Sequence, residues 1–289
     1  MHRGAAALAA VLALAWGAPV AAQPTPSPVA VPFAREGVFG DVYVELTATE
    51  HRPAGPGPFP AIVLNHGSPG KATDRPAVTG NFPVATRAFV EWGFVVLSPV
   101  RRGYGATGGR WSETYGSCAA PRFVDAGIET AKDVAAAVSY LRALPYVDAD
   151  RIVLVGQSAG GWGVLAAAGR PDVPVRGVVN FAGGRAGRIG GVPNKNCAPD
   201  RLVAAAGELG RAARVPSLWL YTENDQFFAP ELSARMHRAY TDAGGRASYV
   251  LFPAIGRDGH ALIGMKEGAP LWQPKVAEFF REIGAMPAR

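Results

Sequence analysis

Residues 156–160 read Gly-Gln-Ser-Ala-Gly, the chain's only Gly-x-Ser-x-Gly. The pentapeptide directly follows the apolar run Ile152-Val153-Leu154-Val155 and leads into the small residues Gly160, Gly161 and Gly163. Strand, tight turn and helix in that order make a nucleophile elbow, in which flanking glycines remove the Cβ atoms that would collide with neighbouring backbone. Such a turn leaves the hydroxyl of Ser158 exposed and ready to attack. A serine hydroxyl is a weak nucleophile at neutral pH, so it requires a histidine to take its proton and a carboxylate to orient that histidine.

Five histidines are available. His2 lies at the extreme N-terminus, His51 in an early Pro/Gly turn, and His237 in a helical stretch beside Arg235 and Arg238. His66 ends an apolar strand, where its expected role is structural, holding the turn that follows. His260 falls in a loop after the last predicted strand and before the final helix, and is the expected base. Asp225, just beyond the apolar run Leu218-Trp219-Leu220-Tyr221, is the expected acid. Glu223 and Asp258 are second choices, one closer to the strand end and the other too near His260 in sequence to reach across its ring. Acyl transfer also needs amide donors aimed at the developing oxyanion. They are expected from the backbone N–H of Ala159 and from the turn Asn65-His66-Gly67-Ser68-Pro69-Gly70, at Ser68. Among the aromatic residues near this edge, Tyr104, Trp162 and Phe227 are expected to wall a substrate pocket.

These side chains need a scaffold. With 289 residues, 48% apolar and 18% charged, the chain has the composition of a folded domain and not of a disordered one. Short β-rich runs at 42–47, 61–65, 94–98, 152–155, 175–181, 217–221 and 248–252 alternate with helical patterns at 82–92, 124–144, 160–168, 230–243 and 271–283. That alternation predicts an α/β fold with a mostly parallel sheet. Residues 61–64 and 152–155 are apolar throughout, as in strands covered on both faces. The Gly- and Arg-rich, then helical, segment 183–214 reads as a small insertion over the sheet. Residues 23–37, with Pro24, Pro26, Pro28 and Pro32, read as an extended tether ahead of one domain at 38–289.

Residues 1–22 carry a short basic start, an apolar stretch and a Val-Ala-Ala end, the pattern of a cleaved secretory signal. A periplasmic or secreted chain without a stable membrane anchor is therefore expected. In an oxidising compartment the two cysteines, Cys118 and Cys197, both in loop-like stretches, are expected to pair. The net charge of +6 is spread without a basic run, which argues against nucleic-acid binding. Nothing in the sequence points to a particular oligomeric state. Residues 103–108, Gly-Tyr-Gly-Ala-Thr-Gly, match a dinucleotide fingerprint, yet loop-forming residues and not a helix follow them, so no cofactor and no metal is expected.

The elbow, the turn at His66-Gly67-Ser68 and the segment Asp133 to Gly161, with Val147-Asp148-Ala149-Asp150-Arg151-Ile152 leading into the elbow, resemble the α/β-hydrolase superfamily. Within it the likeness is to dienelactone-hydrolase-like and prolyl-oligopeptidase-like serine hydrolases, and runs from about residue 38 to 280. It implies an eight-stranded, mostly parallel sheet with helices on both faces and a cofactor-free hydrolase. It also implies a Ser158, Asp225, His260 triad in the superfamily's chain order, and a place for the Arg102-Gly103-Tyr104-Gly105 loop beside the oxyanion turn. The expected activity is cleavage of small-molecule carboxylic esters; peptidase or acyltransferase activity with the same triad, and a catalytically silent binding protein of this fold, are the alternatives. Dienelactone hydrolases use cysteine where this chain has Ser158, and no propeller domain precedes the catalytic part, so neither a dienelactone nor an oligopeptide substrate follows from the likeness.

Overall fold

The computed structural model describes residues 26–37 and 40–287. Its strands are β1 (Ser27–Gly37), β2 (Gly40–His51), β3 (Phe59–Asn65), β4 (Val95–Pro99), β5 (Val147–Gln157), β6 (Gly177–Phe181), β7 (Ser217–Thr222) and β8 (Ala247–Phe252). They form one sheet in the order β1-β2-β4-β3-β5-β6-β7-β8. Pairing is antiparallel from β1 to β2 and from β2 to β4, and parallel across the rest.

The helices are α1 (Pro83–Glu91), α2 (Phe123–Arg142), α3 (Ala159–Ala167), α4 (Pro199–Ala212), α5 (Pro230–Asp242) and α6 (Ala269–Glu282). Strand periodicity of two distributes the core to both faces of the sheet. On β5, Ile152 and Leu154 pack with Val134 and Val138 of α2, Leu165 of α3 and Met236 of α5. The intervening Val153 and Val155 pack on the opposite side with Phe89 of α1 and Trp272 and Phe280 of α6. The fold is thus the α/β-hydrolase architecture, with helices on both faces.

Two expectations are corrected. Residues 27–37 are not a tether but the edge strand β1, in register with β2 from Ser27↔Glu50 to Gly37↔Gly40. Val31 and Phe33 enter the core, whereas Pro28 and Pro32 are exposed. Proline cannot donate to a ladder, and an edge strand is where that loss is tolerated, because one side of it is unpaired. Segment 183–214 is likewise no insertion: α4 is the crossover helix between β6 and β7. Its buried Leu202, Ala205, Ala206 and Leu209 belong to the same core as Leu232, Met236 and Tyr240 of α5. The expected signal at 1–22 lies outside the described residues, and no described helix is long and apolar enough to cross a membrane.

Cys118 and Cys197 form a disulfide, with Cα atoms 5.1 Å apart at a sequence separation of 79. The bond ties the loop after β4 to the segment between β6 and α4. Closing a loop of that length removes chain entropy from the unfolded state worth about 4 to 5 kcal/mol in the chain-entropy model. The double variant Cys118→Ser/Cys197→Ser is expected to lose about that much stability in urea unfolding; a variant as stable as the parent would contradict the account.

Candidate active site

The elbow is built from backbone that admits no ordinary side chain. Ser158 has φ 55° and ψ −120°, a region that non-glycine residues enter only when their surroundings hold them there. Its N–H donates to the Phe181 carbonyl at 2.9 Å, and its own carbonyl accepts from Trp162 N–H at 2.9 Å, starting α3. A Cβ on Gly156 would lie 2.4 Å from the Gly160 carbonyl oxygen, and one on Gly160 would lie 2.4 Å from that of His66. The two glycines of the motif are therefore required by close approach, one to the first turn of α3 and the other to the turn after β3.

Asp225 follows β7 and is buried. Its Oδ1 accepts from the backbone N–H groups of Phe227 at 2.7 Å and Phe228 at 3.0 Å, which fixes the carboxylate. Both carboxylate oxygens face Nδ1 of His260, at 3.0 and 3.1 Å. That contact leaves Nε2 as the ring nitrogen free to act. His260 sits on the 3-10 turn Gly259–Gly264 beyond β8, and its carbonyl accepts from Gln157 Nε2 at 3.1 Å, tying it to the residue before Ser158. The Phe227 ring stacks on the imidazole with centroids 4.0 Å apart. Ser158, His260, Phe227 and Ser68 line one cavity of about 390 Å³. No hydrogen bond joins Ser158 to His260 among the described residues; such contacts commonly tighten only with substrate in place.

The two other carboxylates have different surroundings. Glu223 is exposed. Asp258 caps the 3-10 turn, its Oδ1 accepting from His260 N–H and Gln226 N–H, both at 3.1 Å. Ala159 is the first residue of α3, so its N–H is one of the helix's unpaired donors. Of the three expected pocket walls, only Phe227 lines the cavity. Trp162 is fully buried between α3 and α2, its indole N–H donating to the Phe123 carbonyl at 2.8 Å. Tyr104 is also fully buried: its hydroxyl receives the Trp111 indole N–H at 2.9 Å and lies 2.9 Å from the Ser68 hydroxyl and 3.0 Å from Glu113 Oε2. The glycine-rich stretch 103–108 forms a loop against Trp111 and Val78 and opens no α-helix.

Beneath the turn after β3 lies a charge network that sequence reading missed. Arg101, Glu113 and Arg185 are all buried, and both guanidiniums pair with the one carboxylate. Burial alone would raise the Glu113 carboxyl, but Arg101 and Arg185 hold it down at about 2. Arg101 also donates from Nη1 to the His66 carbonyl at 2.6 Å, and from its backbone N–H to His66 Nε2 at 3.1 Å. With Nε2 accepting, Nδ1 carries the proton and donates to the Gly67 carbonyl at 2.6 Å. The only sequence hint was Arg101 placed directly after the strand Val95–Pro99 and Val100.

Burial and the Arg101 charge push the His66 imidazole down to about 3. A histidine depressed in the folded state contributes stability that is present above its unfolded pKa of 6.5 and is lost as pH falls toward 3. Ring-nitrogen NMR is expected to show one histidine fixed as the neutral Nδ1–H tautomer from pH 8 to 5, absent from His66→Gln. Ordinary titration of that ring would contradict the geometry.

The family model described as the prolyl oligopeptidase family matches residues 81–179. Dipeptidyl-peptidase 5 of Porphyromonas gingivalis is 31% identical over 125 residues, 43% of this chain and 17% of that relative. This chain therefore spans about a sixth of the relative's length. Among solved structures, dipeptidyl peptidase 4 of Porphyromonas gingivalis superposes with a TM-score of 0.63 at 18% identity, over 90% of this chain and 36% of that one. A Klebsiella pneumoniae protein assigned as a dienelactone hydrolase gives 0.59 at 17% identity, over 88% and 98%. An esterase of Pyrococcus furiosus gives 0.61 at 14% identity, over 90% and 93%. At these identities the structural likeness is one of fold. With the family match over residues 81–179, the chain has the α/β-hydrolase fold and is similar to the prolyl oligopeptidase family across that segment.

Proposed function

We propose that the protein is an exported serine hydrolase that cleaves small, uncharged carboxylic esters through an acyl-enzyme on Ser158. The observation that carries this reading is that His260, held at Nδ1 by the buried Asp225, lines the same cavity as the strained Ser158. Nε2 of His260 takes the hydroxyl proton as Ser158 Oγ attacks the ester carbonyl carbon. The negative charge that moves to the carbonyl oxygen is received by the N–H groups of Ala159 and Ser68. Collapse of the intermediate expels the alcohol, which takes the proton from His260. A water molecule then gives a proton to His260 as its oxygen attacks the acyl carbon; collapse breaks the bond to Ser158 Oγ, which takes the proton back from His260 as the carboxylic acid leaves, with Asp225 holding the imidazole throughout.

The cavity favours an uncharged substrate, because none of the residues lining it is Asp, Glu, Lys or Arg. Its volume of about 390 Å³ is at the small end of the range for ligand sites. The disulfide supports export, since such bonds persist in oxidising compartments. A second reading, peptidase activity with the same machinery, is favoured by the prolyl oligopeptidase family match and the dipeptidyl-peptidase relative. Recognition of a free peptide N-terminus would call for an acidic side chain, and the cavity lining has none.

Hydrolysis of p-nitrophenyl acetate and butyrate, compared with aminoacyl p-nitroanilides, tests the choice between the two. The mature protein is expected to turn over the esters much faster than the anilides. Ser158→Ala should abolish turnover, and Asp225→Asn should lower kcat roughly 10³- to 10⁴-fold. Faster anilide cleavage would favour the peptidase, and equal ester rates for wild type and Ser158→Ala would remove the serine mechanism.

A further inference from the structure

Burying two guanidiniums against one carboxylate is costly, and the balance around the turn after β3 remains positive. Arg102, next in the chain to Arg101, is matched by the buried Asp133. Glu129, nearer the surface, is shared between Arg102 and Lys132. Within the buried group, the guanidiniums of Arg101 and Arg185 face the single carboxylate of Glu113, and one positive charge is left over. Arg185 is the arginine whose charge is least compensated. It meets Glu113 at 3.2 Å, but its other partners are neutral: Ala126 carbonyl at 3.1 Å and Thr130 Oγ1 at 2.6 Å. Its buried Nε–H has no partner among the described residues.

This excess lies next to the reacting edge. Gly184 N–H, one residue before Arg185, donates to the Ser158 carbonyl at 3.3 Å. Arg101 holds the His66 carbonyl. His66 itself lines the cavity beside Gly67 and Ser68. The group is felt at that wall: Arg101 opposes a proton on the His66 ring, Glu113 favours one, and Arg185 again opposes it, two charges against one. Fixed charge in a water-excluded site is the form of electrostatic help that favours an oxyanion over the neutral ester it forms from.

We propose that the buried Arg101–Glu113–Arg185 group, through the unmatched charge of Arg185, acts as a fixed positive element that stabilises the oxyanion formed on attack by Ser158. Neither guanidinium touches the substrate; the element acts through its field on the turn at His66-Gly67-Ser68. The proposal rests on Ser158 being the nucleophile.

The test compares Arg185→Met and Arg185→Lys with wild type in ester turnover and in affinity for a phenylboronic acid, which forms an anionic tetrahedral adduct on the serine. Replacing Arg185 leaves Glu113 paired with Arg101 and hydrogen-bonded to Tyr104. For Arg185→Met, kcat is expected to fall about 10-fold and boronate affinity by a similar factor, with KM for the neutral ester unchanged; Arg185→Lys should recover most of both. Should the Met variant fail to fold, Arg185→Gln, which keeps a donor for Thr130 without the charge, serves in its place. Retention of kcat and boronate affinity within twofold in the uncharged variant would overturn the proposal. Equal losses in the Lys and uncharged variants, or failure of both uncharged variants to fold, would also overturn it. If wild type neither hydrolyses esters nor takes up boronate at Ser158, the serine-hydrolase reading fails first; if it does both and the variants match it, only the charge proposal fails.

Discussion

The site depends on one backbone constraint, the left-handed conformation of Ser158 between β5 and α3. A non-glycine residue there is strained by about 1 to 3 kcal/mol and persists only where its neighbours hold it. Here the Ser158 N–H is held by Phe181 of β6 and its carbonyl by Trp162, so the parallel β5–β6 pairing and the start of α3 together impose the turn. The same geometry brings Gly160 against the carbonyls of Asn65 and His66, and Gly67 against Gln157 and Ser158. A larger residue at any of these contacts would push the elbow away from the turn expected to provide the second oxyanion donor.

The surrounding loops are fixed by polar contacts that a hydrophobic core cannot make. Asp225 is oriented by two backbone N–H groups before it meets His260, and His260 is tied in turn to Gln157 and Asp258. On the other side, Arg101, Glu113 and Tyr104 brace the turn carrying Ser68, and the Cys118–Cys197 bond joins the two loops from which Glu113 and Arg185 come. The contacts that join different loops, His260 to Asp225 and Gln157 and Arg101 to the His66 carbonyl, link residues 35 to 103 positions apart, which is why a sheet with both faces buried is needed to bring the loops to one edge.

That distinction also explains how much was legible beforehand. Short β-rich runs bounded by turn residues marked seven of the eight strands; β3 and the second half of β5 stood out because strands covered on both faces are apolar throughout, whereas β8 is only partly buried. The eighth, β1, was concealed by Pro28 and Pro32, whose edge position is a property of the sheet and not of the local sequence. Ser158 carried a local motif, and Asp225 and His260 followed from their places after predicted strands; the structure sets all three on one edge. Residue type could not separate a pocket wall from core: Phe227 faces the cavity, whereas Tyr104 and Trp162 point inward to hydrogen-bond partners. Glu113 and Arg185, 72 residues apart, pair only through the fold, and no spacing rule would have joined them.

Covalent labelling reads whether the Ser158 hydroxyl is an activated nucleophile without presuming a substrate. Treating the folded protein with a fluorophosphonate and mapping the adduct by peptide mass spectrometry should place one label per chain on Ser158, with labelling slowed when His260 is replaced by alanine. No adduct on the folded protein, or a label confined to another residue, would contradict an activated Ser158.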